Sequence, residues 1–134
     1  LYLVGGGQEE EKLRQMVKDM DMHHVVFLGY RQNPYGMIRK CDLFPLSSLY
    51  EGFATVINDS LICGTPVLTR KVSGCDEQIT CDDYGWIVEN SQKGLTEGLK
   101  NALCSMGELE DRKLMLRNYV YPNDEILKEF MEVF

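Results

Sequence analysis

The stretch that decides the fold runs Leu43-Phe44-Pro45-Leu46-Ser47-Ser48-Leu49-Tyr50-Glu51-Gly52-Phe53-Ala54-Thr55-Val56-Ile57-Asn58-Asp59-Ser60-Leu61-Ile62-Cys63-Gly64-Thr65-Pro66-Val67-Leu68. It begins and ends on short apolar runs, Leu43 to Leu46 and Pro66 to Leu68, too short for helices and apolar on successive positions, which reads as strands buried on both faces. Between them Val56 to Cys63 has helical spacing, closed by Gly64 where a left-handed cap is wanted and followed by Pro66. This is a strand, a helix and a strand, the crossover unit of a parallel sheet.

The pattern repeats outward. Leu1 to Val4, Val25 to Leu28 and Trp86 to Val88 read as further strands. Gln8 to Met22 is an amphipathic helix, with Leu13, Met16, Val17 and Met20 three and four apart and Glu9, Glu10 and Glu11 in its first turn. Pro34 opens a helix over Tyr35 to Cys41, at the position where proline removes no helical hydrogen bond. Leu95, Leu99, Ala102 and Leu103 mark another, and Glu108 to Phe134 reads as two more, broken at Tyr121-Pro122-Asn123. The expected fold class is α/β, a doubly wound Rossmann-like parallel sheet with helices on both faces.

With 134 residues, 44% of them hydrophobic and 26% charged, the chain is one domain by length and buries about two thirds of its unfolded surface. Twenty-one acids against 14 bases give a net charge of −7, and the cations come as scattered singles and pairs such as Arg39-Lys40 and Arg70-Lys71. No basic stripe is available for a phosphate backbone, so nucleic acid is not an expected partner. Five cysteines, odd in number and without two-residue spacing, read as reduced thiols, with Cys41 and Cys63 expected to pack in the core. His23-His24, the only histidines, read as a solvated helix end, and no metal site is expected. No run is long enough to span a bilayer. Leu1-Tyr2-Leu3-Val4 starts directly on a strand without an initiator Met, so the expectation is a piece of something larger.

In doubly wound folds ligands sit beyond the carboxyl ends of the strands. After the first strand, Gly5-Gly6-Gly7 would let backbone N–H groups approach a ligand, or make only a tight turn. After the second, Tyr30 could lean on a flat base and Arg31 could meet a phosphate, although an exposed loop aromatic beside a cation is common. After the third come Glu51 and Asp59, eight positions apart. On one helix they would be about 80° apart around the axis and about 12 Å along it. Gly52 instead puts Glu51 in the loop and Asp59 inside the helix, with the amides of Gly52, Phe53, Ala54 and Thr55 between two carboxylates. Amides at a helix start hold anions and carboxylates accept from hydroxyl pairs, a combination suited to phosphates, a ribose and a sugar. Taken alone, these residues equally fit a capping acid and a surface acid.

In order and spacing the chain resembles the carboxyl-terminal, donor-binding domain of retaining group 1 glycosyltransferases of the GT-B fold, a group that includes capsular-polysaccharide enzymes. The resemblance runs from Leu1 to about Leu103. It is carried by Leu1-Tyr2-Leu3-Val4-Gly5-Gly6-Gly7 with Glu9, by Val26-Phe27-Leu28-Gly29 with Asn33-Pro34-Tyr35, and by Cys41-Asp42-Leu43-Phe44 with Ser47-Ser48. Glu51-Gly52-Phe53, Gly64-Thr65-Pro66-Val67, Gly74 with Glu77, and Gly85-Trp86-Ile87-Val88-Glu89-Asn90 continue it.

The resemblance implies an enzyme that moves a sugar from a nucleotide-diphosphate sugar to a glycan or lipid-linked acceptor with retention and with no required cofactor. Glu51 would contact the transferred sugar. Gly52, Phe53 and Ala54 would offer amides to the sugar and diphosphate, and Asp59, where the family usually has Glu, would hold the ribose hydroxyls. Gly6, Gly7, Tyr30, Thr55 and Glu77 complete the expected donor site, with Glu77 starting a short helix beside Glu51. The acceptor-binding amino-terminal domain, the family's phosphate-binding Arg and Lys, and a central strand of the sheet are expected to lie outside the chain. Arg31, Arg70 and Lys71 are the remaining candidate cations, each otherwise a solvated surface charge. The piece alone is expected to be inactive, and the strands at Leu1 to Val4 and Leu43 to Leu46 either to close on each other or to be completed by a second copy in a homodimer. The intact protein would be cytoplasmic, at the inner face of the membrane where the acceptor is lipid-linked. The alternative is a non-catalytic nucleotide-binding or protein-interaction domain of the same fold.

Overall fold

The structure, a computed structural model, describes residues 1–123. They form two compact units, Leu1–Pro34 and the residues from Tyr35 onward, each with its own parallel sheet.

In the first unit β1 (Tyr2–Val4) and β2 (Val26–Gly29) pair in parallel, Tyr2 against Val26 and Leu3 against Phe27, and α1 (Glu10–Asp19) crosses between them. The Gly5 amide extends the ladder by donating to the Gly29 carbonyl at 2.9 Å. Arg14 Nη2 reaches Glu10 one turn back at 2.7 Å, and its guanidinium lies 4.3 Å from the centre of the Phe27 ring, so one cation serves helix and strand together. The helix is shorter than the Gln8 to Met22 of the apolar spacing. Asp21 has φ +52, a left-handed conformation that Asp tolerates and that ends the helical path before Met22.

The second unit holds α2 (Tyr35–Ile38), β3 (Phe44–Leu46), α3 (Thr55–Ile62), β4 (Val67–Arg70), α4 (Cys75–Gln78), a 3-10 turn at Asp82–Tyr84, β5 (Gly85–Val88), α5 (Gln92–Cys104) and α6 (Met106–Leu116). Its strands run parallel in the order β3-β4-β5, with Phe44 against Val67 and Val67 against Gly85. All four residues of the central β4 are buried. On one face Ala54, Ile57 and Leu61 along α3 pack with Val67, Cys75, Ile79 and Leu116. On the other, α5 comes close through Gly98, where a Cβ would lie 2.8 Å from Val88 Cγ1 and 3.1 Å from Leu68 Cδ1. Both faces are therefore covered, as successive apolar strand residues require.

Two features fix the amino ends of these strands. Lys113 Nζ on α6 donates to the Cys41 carbonyl at 3.0 Å and pairs with Asp42 at 3.3 Å. Arg112 lies 4.0 Å over the Trp86 ring and pairs with Glu108 at 2.8 Å. At the far end of α3, Gly64 takes φ +79 and the Thr65 amide closes onto the Ser60 carbonyl, the left-handed stop expected of this glycine.

Several expectations are corrected. Neither Cys41 nor Cys63 is a core residue: both are half-buried, and it is Cys75, on the inner side of α4, that is fully buried. The helix expected to begin at Glu77 begins at Cys75, because Gly74 at φ +77 supplies the turn in front of it. The direct closure of the Leu1 to Val4 strand on the Leu43 to Leu46 strand is not formed: β1 pairs with β2, β3 with β4, and the two sheets are separate. Of the two helices read in the tail, the first is α6, beginning two residues early at Met106, and the second lies outside the described residues. Among the described residues no helix is long and apolar enough to cross a membrane.

Candidate functional site

Because β3, β4 and β5 are parallel, the segments that follow them, at 47–54, 71–74 and 89–91, emerge from the same end of the sheet. Specific contacts tie them together. Asn90 Nδ2, after β5, donates to the Leu49 carbonyl, after β3, at 3.0 Å, and so joins the loops of the two outer strands across the end of the central one. Gln78 Nε2, buried at the end of α4, donates to the Ala54 carbonyl at 2.9 Å. Gly74 lies against the Gly52-Phe53 backbone: a Cβ there would meet Phe53 Cδ2 at 3.4 Å and the Gly52 carbonyl oxygen at 3.5 Å.

These contacts hold the start of α3, which, like those of α1, α4 and α6, has no side-chain cap. The residue at its cap is Ala54, which has no side chain to accept from the first amides. By contrast α5 is capped by Ser91, whose Oγ accepts from the Gly94 amide at 2.9 Å. The Thr55 amide turns back onto the Phe53 carbonyl at 3.0 Å and the Ile57 amide onto Ala54 at 2.9 Å, but the amides of Gly52, Phe53 and Ala54 donate to no acceptor among the described residues. Unspent donors at the positive end of a helix dipole are suited to an anion. Thr55, grouped with the amide donors by its position, therefore has only its exposed hydroxyl to offer.

Glu51 is half-buried in the loop before this turn, and Asp59 is half-buried on α3, one turn beyond Thr55. Neither carboxylate forms an ion pair among the described residues. Asp59 lines a cleft of about 540 Å³ with Tyr35, Gly36, Arg39, Ile62 and Cys63. Burial pushes the Cys63 thiol up from its ordinary range, the Asp59 carboxylate adds to the rise, and Arg39 opposes it. Phe53 is exposed beside its amide, and Glu77 is exposed on α4, the helix that holds Ala54. Gly6, Gly7 and Tyr30 belong to the first unit, all exposed. A Cβ on Gly6 would stand 3.3 Å from Glu10 Oε2, whereas Gly7 faces open space. Among the described residues no group of three or more His, Cys, Asp or Glu could hold a metal ion.

Gln78 and Asn90 were not read from the sequence as part of this end of the sheet. The spacing of Cys75, Gln78 and Ile79, three and four apart, was the available sign that Gln78 faces inward. Arg70, for which a candidate phosphate cation and a solvated surface charge are both expected, is only 8% exposed at the end of β4. Lys71 is exposed and stands 3.8 Å from Asp76.

Comparison with known proteins places the chain in a family and in a fold. Residues 1–118 match the family described as glycosyl transferases group 1. The chain is 33% identical over 117 residues to the Campylobacter jejuni N-acetylgalactosamine-N,N'-diacetylbacillosaminyl-diphospho-undecaprenol 4-alpha-N-acetylgalactosaminyltransferase, covering 85% of this chain and 30% of that protein. It is 34% identical over 90 residues to the N-acetyl-alpha-D-glucosaminyl L-malate synthase of Bacillus anthracis, covering 66% of this chain and 24% of that one. Among solved structures, Anabaena Alr3699/HepE in complex with UDP superposes with a TM-score of 0.76 at 20% identity, over 99% of this chain and 40% of that one, a likeness of fold. The chain thus spans about a third or less of the length of these curated relatives. With nearly its whole described length matched, the chain belongs to the glycosyl transferases group 1 family.

Proposed function

We propose that the chain is the donor-binding part of a glycosyltransferase that moves a sugar, with retention, from a nucleotide-diphosphate sugar to a glycan or lipid-linked acceptor held by the rest of the protein. The observation that carries this reading is the uncapped start of α3, where the amides of Gly52, Phe53 and Ala54 have no acceptor among the described residues. A diphosphate supplies the missing acceptors, and the turn is already held from behind by Gln78 and Gly74, so little ordering is needed when it binds. Diphosphate charge that grows as the glycosidic bond breaks is then met by fixed amides, with no metal required.

In this reading Glu51 accepts from hydroxyls of the transferred sugar and Asp59 from the ribose hydroxyls. The name of one relative, a transferase acting on an undecaprenol-linked sugar, supports a lipid-linked acceptor, and that of another, an N-acetyl-glucosaminyl malate synthase, supports sugar transfer alone. A lipid-linked acceptor would place the reaction at the inner face of a membrane, and the free edges of β1 and β3 would be completed by a second copy when the chain is alone. The test is transfer by the full-length protein from a panel of UDP-, GDP- and ADP-sugars to acceptor, with the anomeric configuration of the product read by NMR. Product with the donor's configuration is expected. Absence of transfer from every donor, with hydrolysis absent as well, would contradict the proposal.

A further inference from the structure

Arg112 and the exposed Arg14 each have a ring and a carboxylate as partners, Trp86 and Glu108 for the first and Phe27 and Glu10 for the second. Arg70 has neither kind of partner. It is 8% exposed, its Nε is buried without an acceptor, and among the described residues its side chain makes no hydrogen bond, ion pair or ring contact. A guanidinium is charged at every accessible pH, and taking it from water without a counterion is among the costliest states available to a side chain.

Arg70 is the last residue of β4, the central strand, at the end of the sheet from which the Glu51-to-Ala54 turn emerges. The Asn90 to Leu49 hydrogen bond bridges the loops of both neighbouring strands across that end. Strand alternation puts Arg70 on the Leu68 side, the α5 face, opposite the face on which α3 packs. The same end of the sheet thus carries two sets of unspent donors: the α3 amides on one side and the Arg70 fork on the other.

We infer that Arg70 is an anion-binding residue at this end of the sheet, its guanidinium offered to a phosphate of the donor from the α5 side. This rests on the donor-binding reading above and deepens it by assigning the site a cation from within the chain. A planar fork gives two parallel bonds to a phosphate, so lysine at the position holds the charge without the geometry.

The test uses the whole chain with inorganic pyrophosphate as probe, beside a panel of nucleotide sugars. In 15N spectra of the wild type the Arg70 Nε–H resonance should move as pyrophosphate saturates. Arg70→Gln should weaken pyrophosphate binding at least tenfold, Arg70→Lys less, and Lys71→Gln less than twofold. The melting temperature should rise with pyrophosphate in the wild type and stay flat in Arg70→Gln. An unmoved Arg70 Nε resonance, no pyrophosphate binding by the folded wild type, or equal binding by Arg70→Gln would each overturn the inference. The wild-type resonance decides the matter even if a variant fails to fold. The two readings separate cleanly. Nucleotide sugars bound equally by wild type and Arg70→Gln would leave the donor site standing without Arg70. Pyrophosphate bound through Arg70 by a protein that takes no nucleotide sugar would leave the anion site and remove the donor.

Discussion

Gln78 Nε2 donates to the carbonyl oxygen of Ala54 at 2.9 Å, and this bond joins the buried end of α4 to the uncapped start of α3. The same carbonyl accepts from the Ile57 amide, so Gln78 is not needed to satisfy it, only to fix where the turn points. Gln78→Ala should therefore cost about 1 kcal/mol in chemical denaturation, the range for a lost hydrogen bond whose acceptor keeps another donor. In the full-length protein it should lower kcat/KM for donor by more than that stability loss alone would. Unchanged donor kinetics would make the bond purely structural.

Glu51 is half-buried in a loop, carries no ion pair among the described residues and contributes nothing to the core cluster. Glu51→Ala is expected to leave stability within about 0.5 kcal/mol, as at other surface positions. Turnover of the full-length enzyme should fall by about 100-fold or more, the scale on which preorganised polar groups act on a transition state. A variant that transfers sugar at the wild-type rate would remove Glu51 from the site.

By the resemblance, Asp59 takes the place of a glutamate, with a side chain one methylene shorter. If it holds the ribose, Asp59→Ala should weaken nucleoside diphosphate binding about tenfold, the loss of one charge-assisted hydrogen bond. Asp59→Glu should bind at least as well as the wild type. Calorimetry on the three proteins decides this, and equal affinity in all three would place the ribose elsewhere.

Gly85 is the first residue of β5, paired with Val67, and a Cβ there would stand 2.2 Å from the Val67 carbonyl oxygen. The obstacle is backbone, which cannot turn aside as a side-chain tip can. Gly85→Ala is expected to cost about 3 kcal/mol in urea unfolding, the upper end of ordinary overpacking. A loss below about 1 kcal/mol would show that β4 and β5 can move apart freely.

What the sequence carried, it carried locally. The runs at Leu43 to Leu46, Pro66 to Leu68 and Trp86 to Val88 lie on β3, β4 and β5, and Gly64 stops α3 where its conformational freedom is needed, because strand burial and helix termination depend on residues within a few positions. That Glu51 lies in a loop and Asp59 inside the helix was legible for the same reason, since the helical spacing begins only after Ala54. The burial of Arg70 was not legible, since an arginine at the end of a strand does not show in sequence what covers it. Nor was the exchange of roles among the cysteines, where Cys75 is inside and Cys41 and Cys63 are partly out, because an apolar neighbourhood in sequence does not say which helix face is turned inward. Gln78 lay between these cases, its inward spacing visible but its partner not.

The central claim is that a nucleotide-diphosphate sugar binds at the uncapped start of α3. The most direct measurement is an amide-resolved NMR titration of the chain with UDP-, GDP- and ADP-sugars. At least one donor should shift the amides of Gly52, Phe53 and Ala54 most strongly, with Glu51, Asp59 and Arg70 following. A protein whose amides stay unmoved by every donor, or move only along α6 between Met106 and Leu116, would contradict it.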